Sequence, residues 1–241
     1  MQIRPCHPDK GHVISRLRWA VCVAALLPIG AVHAGRPMNT DDASANKQAV
    51  CHVEAWMDKY AGATSTHLAP TCGVVDDLEV AAEFVSNRPS SEIPQGRALG
   101  FKWAPEWANW QEWRFGIKGG MGWEKASGDD WRHVSEAYSL LATRQLNDEW
   151  TVHINVGRGH DKLKKHHDTP YGVALAWTPD DHWMVFGEIT GLNHTSASQF
   201  AGVRYWILPE TLGLDVTTGR TNATPESKTW GIGLGWYGLR F

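Results

Sequence analysis

Residues 230–241 read WGIGLGWYGLRF, so glycine alternates with large apolar side chains almost to the end of the chain. Successive side chains of a β-strand point to opposite faces, and this period of two therefore predicts a strand. Counting back from Phe241 in steps of two places Leu239 and Tyr237 on the same face. A free chain end is ordinarily polar and frayed. We therefore expect this apolar end to be paired inside a sheet.

The first 34 residues predict a cleaved signal peptide. Basic residues precede an apolar run from Trp19 to Ala31, and Val32 and Ala34 supply the small side chains that a signal peptidase requires. The run is shorter than the roughly 20 residues that a spanning helix needs. We expect residues 35–48 to form a periplasmic N-terminal segment and residues 49–241 to form the folded domain.

The charge of the exported part argues against nucleic acid as a partner. Loss of the leader removes four of the 23 lysine and arginine residues and one of the 26 acidic residues, which leaves a net charge of −6. Nucleic acids are bound mainly through an excess of lysine and arginine against the phosphates. We therefore expect no nucleic acid partner.

Cys51 and Cys72 are the two cysteines that remain after the leader. If residues 50–59 and 64–72 form a hairpin that turns at Ala61 and Gly62, the two thiols are directly opposed and close enough to bridge. Exported proteins reach an oxidising compartment. The spacing predicts a disulfide that holds the first hairpin together, and two separate buried thiols are the alternative.

Two kinds of connection alternate along the chain. Short turns rich in acidic residues and proline, such as 103–107, 146–150 and 177–183, alternate with generally longer polar stretches, such as 87–95 and 159–169. Short turns at one end and longer loops at the other are the layout of an outer-membrane barrel. Tryptophans flank the short turns, as expected for aromatic girdles at the membrane interfaces. A soluble periplasmic sandwich is the alternative, and it leaves this placement unexplained.

The alternating segments predict an all-β fold, an antiparallel transmembrane β-barrel of about twelve strands located in the bacterial outer membrane. Ten strands are the alternative count. An even number places both chain ends at the periplasmic rim. The predicted strands are 50–59, 64–73, 77–86, 96–104, 110–123, 132–146, 150–158, 170–178, 182–191, 198–207, 212–219 and 230–241.

The interior of such a barrel receives the charged side chains, because a charge on the lipid face near the midplane costs about 2–4 kcal/mol. Acids and bases in the predicted set are nearly balanced, which favours paired charges over an open ion-selective pore. Twelve strands predict a narrow or plugged channel. The residues expected to line the lumen are Glu79, Glu83, Lys102, Glu112, Arg114, Lys118, Glu188, Arg204 and Asp215.

The closing strand conflicts with this scheme. If Phe241, Leu239 and Tyr237 face lipid, strict alternation turns the apolar side chains of Trp230 and Trp236 towards the lumen. Ile232 and Leu234 lie on the same inward face. A bulge in the strand or an aromatic wall that binds a ligand would each reconcile the pattern, and the sequence leaves both open.

Four stretches carry a family resemblance: GRPMNTDDA at 35–43, CHVEAW at 51–56, APTCG at 69–73 and GWYGL at 235–239. With these stretches the chain resembles a family of uncharacterised proteobacterial outer-membrane proteins. That family is similar in turn to outer-membrane proteins named for the MetA-pathway of phenol degradation. The resemblance implies a barrel and its location, and it transfers no functional residue.

Histidines cluster in the stretch 159–169, where His160, His166 and His167 lie beside Asp161 and Asp168. Imidazoles and carboxylates suit Zn²⁺ or Cu²⁺. Lysines in the same stretch repel cations, and adjacent histidines on a flexible loop rarely complete a closed site. We leave open whether these histidines bind metal, and we assign no metal site and no cofactor. The alternative is a surface loop whose lysines contact lipopolysaccharide phosphates.

His194 and Ser196 have a His-x-Ser spacing that resembles the pair used by lipid A deacylase barrels, with Glu188 and Glu210 as loose candidates for the acid. A histidine that activates a serine must lie within hydrogen-bond reach of it. Asp41 and Asp42, ahead of the first strand, would either plug the periplasmic mouth or belong to a disordered linker.

Three functions follow from these patterns. We favour a non-enzymatic barrel, a narrow channel or binding barrel for small apolar or aromatic solutes. The second is a lipid A-modifying enzyme that uses His194 and Ser196, and the third is a structural barrel that acts through its outer loops. The expected partners are outer-membrane lipids and lipopolysaccharide, a small-molecule solute, and the barrel-assembly machinery that would recognise the C-terminal strand.

Overall fold

A computed structural model describes residues 36–60, 62–91, 93–221 and 227–240. The predicted leader and Phe241 lie outside these described residues. Among the described residues, no helix is long and apolar enough to cross a membrane. The described strands are β1 (Val50–Tyr60), β2 (Ala63–Val75), β3 (Leu78–Arg88), β4 (Gln95–Trp103), β5 (Trp113–Lys125), β6 (Arg132–Gln145), β7 (Trp150–Asp161), β8 (His166–Asp168), β9 (Pro170–Trp177), β10 (Trp183–Leu192), β11 (Ser198–Leu208), β12 (Leu212–Thr221) and β13 (Ser227–Arg240).

The sheet closes on itself, because β1 pairs with β13 and β6 pairs with β7, all antiparallel. Twelve strands form the ring, and the short strand β8 pairs with the far end of β7 beyond the point where β9 stops. The prediction of a twelve-stranded antiparallel barrel is confirmed, and ten strands is wrong. We call the end that holds Val50 and Arg240 the periplasmic rim and the opposite end the outer rim.

The first hairpin has the predicted register. Tyr60 pairs with Ala63, and the ladder runs back to Cys51 opposite Cys72. These two cysteines form a disulfide, with their Cα atoms 4.1 Å apart. The predicted disulfide is therefore confirmed, and it links the first two strands next to the seam where the barrel closes.

A β-bulge resolves the conflict in the closing strand. Cys51 pairs with Leu239, but Val53 pairs with Trp236, so β13 has one extra residue in this interval. Gly238 lies there with φ of 72°, a left-handed conformation that suits glycine. Below the bulge the faces exchange: Trp230 and Trp236 are 46% and 54% exposed on the outside, and Tyr237 points into the lumen. The expectation that Tyr237 faces lipid is wrong for this reason.

The outside of the barrel is apolar. Along β9, for example, Val173 and Leu175 are exposed whereas Ala174 and Ala176 are buried inside. In a barrel that spans lipid, the exposed side must be the apolar one. Large apolar side chains exposed on the other strands include Leu68, Val80, Phe84, Leu99, Phe101, Phe115, Ile117, Leu140, Ile154, Val185, Ile189, Val203, Leu214, Val216, Ile232 and Leu234.

Tryptophans form part of an aromatic girdle at the periplasmic rim. Trp150 and Trp177 end paired strands, and their ring centroids are 6.0 Å apart. The indole N–H of Trp177 donates to Glu149 at 2.9 Å, so the ring is apolar towards the strands and polar towards the turn. Trp103 and Trp183 occupy the corresponding ends of β4 and β10. Indoles with one polar edge favour the level of the lipid headgroups.

Two connections differ from the sequence expectation. The stretch 159–169 is mostly strand, because β7 continues to Asp161 and β8 begins at His166, so only residues 162–165 turn. Cross-strand pairing of His160 with His167 extends the sheet into what had been predicted as a loop. At the periplasmic rim, the connection 104–112 is longer than predicted and contains the 3-10 helix Glu106–Ala108.

The described part of the N-terminal segment packs against the inner wall of the barrel. Residues 36–49 carry no strand, yet Asp41 and Ala43 are buried. The backbone of Ala49 donates to Gly73 at the periplasmic rim, whereas Arg36 and Asp41 contact strands on opposite sides of the ring. We call residues 36–49 the plug. Of the two alternatives for Asp41, a plug of the barrel mouth agrees with the structure and a disordered linker does not.

Candidate functional site

Most of the charged side chains expected to line the lumen are buried there. Their positions alternate with the exposed apolar ones, as strand geometry requires. Lys118 is also inward, with 11% of its side chain exposed. The expected residues that are buried are Glu79, Glu83, Lys102, Glu188, Arg204 and Asp215.

Two expected lumen residues lie elsewhere. Glu112 precedes β5, in the connection 104–112, and it is exposed beside Arg144 at 3.7 Å. Because the predicted strand begins at residue 110, alternation places Glu112 on its lumen face. Arg114 is the second residue of β5 and is exposed at the periplasmic rim. Neither side chain belongs to the buried charge network.

The sequence reasoning missed the inward charges of β1. Glu54 is 1% exposed, and Asp58 lies further along the same face. His52, two residues before Glu54, and Trp56, between Glu54 and Asp58, are inward on the same face and are also buried. His52, Glu54 and Asp58 lie at even spacings, and this period of two is a sequence signal for one polar face of a strand.

Arg204 of β11 forms the first buried cluster, next to the seam. Its guanidinium donates to Asp215 at 3.0 Å and to the hydroxyl oxygen of Tyr237 at 2.8 Å. Glu54 lies 3.7 Å from the same guanidinium and accepts a hydrogen bond from Tyr237. The cluster therefore joins β11, β12 and β13, which follow one another in the chain, to β1 from the other end of the barrel sequence.

Arg36 of the plug extends this cluster. Its guanidinium donates to Asp215 at 3.0 Å and lies 3.6 Å from Asp58, while its backbone N–H donates to Glu54 at 3.2 Å. The same guanidinium lies over the Trp56 ring, 5.3 Å from the centroid. Inward positions 231 and 233 of β13 are glycines, and a Cβ atom at either would collide with Asp58 or Asp215. The closing strand thus leaves room for the charges of its neighbours.

Glu188 of β10 binds the next part of the plug. It accepts hydrogen bonds from the backbone N–H of Asn39 at 2.9 Å, from the Asn39 amide at 2.7 Å and from the backbone N–H of Thr40 at 2.8 Å. Gly172 of β9 faces Thr40 closely, since a Cβ atom at that position would lie 3.4 Å from the Thr40 Cβ. Hydrogen bonds to a charged acceptor are the strong kind, so Glu188 is a principal anchor of the plug.

Asp41 lies opposite, between two lysines of the wall. Lys102 Nζ is 3.1 Å from one carboxylate oxygen and Lys118 Nζ is 3.3 Å from the other. The backbone of Asp41 exchanges two hydrogen bonds with the Asn155 side chain, at 2.7 and 2.8 Å. Every polar group of this residue therefore has a partner, which a buried carboxylate requires.

Asp42 is held in its charged form. Burial alone would raise the pKa of its carboxyl, but the ammonium group of Lys102 and hydrogen bonds from Ser44 lower that pKa to about 2. Lys102 also lies 3.3 Å from Glu79, which accepts the backbone N–H of Asn46 at 2.8 Å. The plug returns through these contacts from the centre of the lumen to the periplasmic rim.

The buried wall carries more carboxylates than cations. Among its described side chains, five buried carboxylates, Glu54, Glu79, Glu83, Glu188 and Asp215, face two buried cations, Lys102 and Arg204. The near balance expected from the sequence is absent from this buried set. The plug contributes the donors that the wall lacks, namely the Arg36 guanidinium and backbone N–H groups of Arg36, Asn39, Thr40 and Asn46.

The histidines singled out in the sequence lie at the outer rim, far along the strands from the plug. His160 and His167 stack across the β7–β8 pair at 4.4 Å between ring centroids. His194 and Ser196 lie in the connection 193–197, where the backbone N–H of Thr195 donates to Leu192 at 3.1 Å. The pair is therefore in a tight turn and does not have the strand spacing that would align the two side chains.

A closed barrel with an apolar exterior and a charged interior is suited to span lipid, and this chain is a porin-like barrel of the bacterial outer membrane. Solved structures with this fold include the KdgM porin, with a TM-score of 0.58 and 10% identity over 77% of this chain and 98% of that chain. The NanC porin gives 0.57 and 8% identity over 78% and 100%. KdgM has also been solved in complex with disordered oligogalacturonate. At these identities the likeness concerns the fold alone.

The chain belongs to the family described as Uncharacterised conserved protein UCP029691, whose model matches residues 22–237. This match supports the resemblance to an uncharacterised family, whereas the link to the phenol-degradation group remains a prediction. No curated protein is similar enough in sequence to be matched to the chain.

Proposed function

We propose that this protein is a narrow outer-membrane channel that passes small polar solutes, cations in preference to anions, and whose plug controls the opening. The observation that carries the proposal is the pairing of an acidic lumen wall with donors supplied by residues 36–49. The porin-like fold supports a channel as the class of function.

The preference for cations follows from the wall. Rings of aspartate and glutamate favour cations in channels. When the plug moves aside, Glu188 loses its donors from Asn39 and Thr40, and Asp215 loses Arg36 while it keeps Arg204. Buried carboxylates without partners are costly, so a cation that enters is attracted to the sites that the plug has left.

The plug is also suited to reversible movement. It makes no strand pairing with the barrel, and side-chain hydrogen bonds and ion pairs account for most of its described contacts. Charged contacts of this kind can be exchanged for equivalent contacts with a solute or with water. A segment paired through a backbone ladder would have to break several hydrogen bonds at once.

The expectation of an apolar or aromatic solute has less support. An aromatic lumen wall formed by Trp230 and Trp236 would favour such a solute, but both side chains are exposed on the outside. Trp56 and Trp206 are inward, but each lies under an arginine guanidinium, at 5.3 and 5.0 Å. Rings engaged in this way favour a charged group over their faces.

The remaining partners are proposals as well. We propose that the apolar belt contacts outer-membrane lipid, that exposed lysines at the outer rim such as Lys165 contact lipopolysaccharide phosphates, and that β13 is the strand the assembly machinery recognises. A lipid A-modifying enzyme and a structural barrel that acts through its outer connections remain the alternative functions.

Conductance of the purified protein in planar bilayers tests the channel. Current should be small with brief openings, and a salt gradient should give a reversal potential that indicates cations as the main carriers. Replacing Thr40→Cys together with Gly172→Cys should allow a disulfide between plug and wall, since the two Cβ positions are 3.4 Å apart. Oxidation should abolish the openings of this double variant, and reduction should restore them.

The single variant Thr40→Cys is the matched control, because it experiences the same reagents and the same native disulfide without a partner on β9. Its openings should not respond to oxidant. A preference for anions would refute the proposal that the wall selects cations. Openings that persist in the oxidised double variant would refute the proposal that the plug is the gate.

A further inference from the structure

Three metal-binding side chains meet at the outer rim, outside the lumen network. His166 and Asp168 belong to β8, and His194 belongs to the connection that follows β10. One ligand atom from each lies within 4.8 Å of the other two. Asp168 Oδ1 is 3.2 Å from His166 Nε2 and 3.4 Å from His194 Nδ1. Two adjacent hairpins therefore direct their ligand atoms to one small region.

Strand register explains why these three residues meet. Pro170 pairs with Leu192, and continuing that antiparallel register by two residues brings Asp168 opposite His194. The backbone N–H of Thr169 donates to the Asn193 side chain at 2.9 Å, so the pairing persists beyond the named strands. Residues 166 and 168 are two apart on a strand and share a face, whereas His167 points to the other side and stacks on His160.

The geometry around Asp168 resembles a ligand set more than a hydrogen-bonded one. Oδ1 of Asp168 is buried, and within the described part of the chain it has no partner with hydrogen-bond geometry. In a tetrahedral zinc site with bonds of about 2.0–2.1 Å, neighbouring ligand atoms are roughly 3.3 Å apart. The two separations between Asp168 and the imidazole nitrogens already have this value.

The lysines of the turn 162–165 are less of an obstacle than the sequence indicated. Lys164 Nζ lies 3.2 Å from Asp161, and Lys162 Nζ lies 2.7 Å from Glu136. These two ammonium groups are thus paired with carboxylates that are not part of the cluster, and the third lysine of the turn, Lys165, is exposed to solvent. Paired charges contribute little field at a neighbouring site, particularly where solvent screens them.

We propose that His166, Asp168 and His194 bind one Zn²⁺ ion, with water in the fourth position. Two imidazoles and a carboxylate are a known type of ligand set for zinc. Binding through Nδ1 of His194 requires this nitrogen to be unprotonated, so its contact with Asn193 at 3.2 Å is replaced by the metal bond. The ion would join the β7–β8 hairpin to the connection after β10 and hold that part of the outer rim together.

Zinc titration of the full-length protein in detergent tests the site. The protein must carry no histidine tag and must first be stripped with a chelator, and a chromophoric zinc chelator then reports competition. The wild type should bind one equivalent. His194→Ala and Asp168→Asn should each weaken binding by about tenfold or more, since even indirect partners of a metal ligand contribute that much.

The matched controls are His167→Ala, on the opposite face of β8, and His182→Ala, an exposed histidine at the other rim. Both should bind zinc like the wild type. Heat-modifiable migration on a gel shows which variants are folded, so that a misfolded one is replaced by His166→Gln. The proposal is overturned if the folded wild type binds no zinc, or if affinity follows His167 and is independent of His194.

Discussion

The plug network and the outer-rim histidine cluster contain similar chemical groups in opposite environments. Around Arg36 and Arg204, carboxylates are buried and have several partners each. Around Asp168, the two histidines are exposed and each makes few contacts. The comparison teaches that burial and partner number, more than residue type, decide whether a charged cluster holds a structure together or can accept a ligand.

The largest difference should appear in stability. Replacing Arg204→Met leaves Asp215 and Glu54 without their wall cation, and breaking a buried pair from one side costs about 3 kcal/mol or more. Denaturant unfolding in detergent should show this loss. Arg132→Met is the control at the outer rim, where Arg132 and Asp129 form an exposed pair at 3.0 Å. Its effect should be below about 1 kcal/mol. Equal effects would mean that the lumen is as well solvated as the rim.

A smaller change should affect the plug without unfolding the barrel. Glu188→Gln retains the size of the side chain but turns amide hydrogens towards donors of Asn39 and Thr40. Hydrogen bonds to charged groups contribute about 1.5–3 kcal/mol each, so the open population should rise roughly tenfold or more. Single-channel recording measures this directly.

Glu83→Gln sharpens that result, because Glu83 is equally buried but binds His67 at 2.8 Å and not the plug. Openings of this variant should resemble those of the wild type. If both glutamine variants open alike, the opening depends on the wall as a whole, and the plug is not its control.

The smallest effect is expected in the outer connection. Ser196→Ala should change neither unfolding nor the acylation of lipid A, because His194 and Ser196 lie in a tight turn without strand alignment. Mass spectrometry of lipid A from cells that express each form checks this. A loss of deacylation in the variant would revive the enzyme hypothesis and would make the outer rim a catalytic region.

Local patterns predicted the barrel well. The disulfide could be predicted because Cys51 and Cys72 fall at opposed positions of one hairpin, and hairpin register depends on nearby residues. The face of Trp236 could not be predicted, because a single residue at Gly238 in a left-handed conformation shifts the alternation. One inserted residue reverses every side chain before it, and sequence periodicity does not show where it lies.

The site was only partly predictable for a different reason. Glu188 and Asp215 were assigned to the lumen from alternation, but their partners are in residues 36–49, which have no periodicity to read. The proximity of Asp168 and His194 could be predicted from the sequence, because it requires only that the register of β9 and β10 be extended. No comparable register rule predicts which strand residues a non-repetitive segment will contact.

The position of Arg36 has a consequence for the order of assembly. Its partners are Glu54 and Asp58 on β1 and Asp215 on β12, which are the strands on either side of β13. Those carboxylates come together only when the last strand has joined the first. The Arg36 end of the plug therefore has no complete binding site in an unfinished sheet, and docking of that end indicates that the ring is closed.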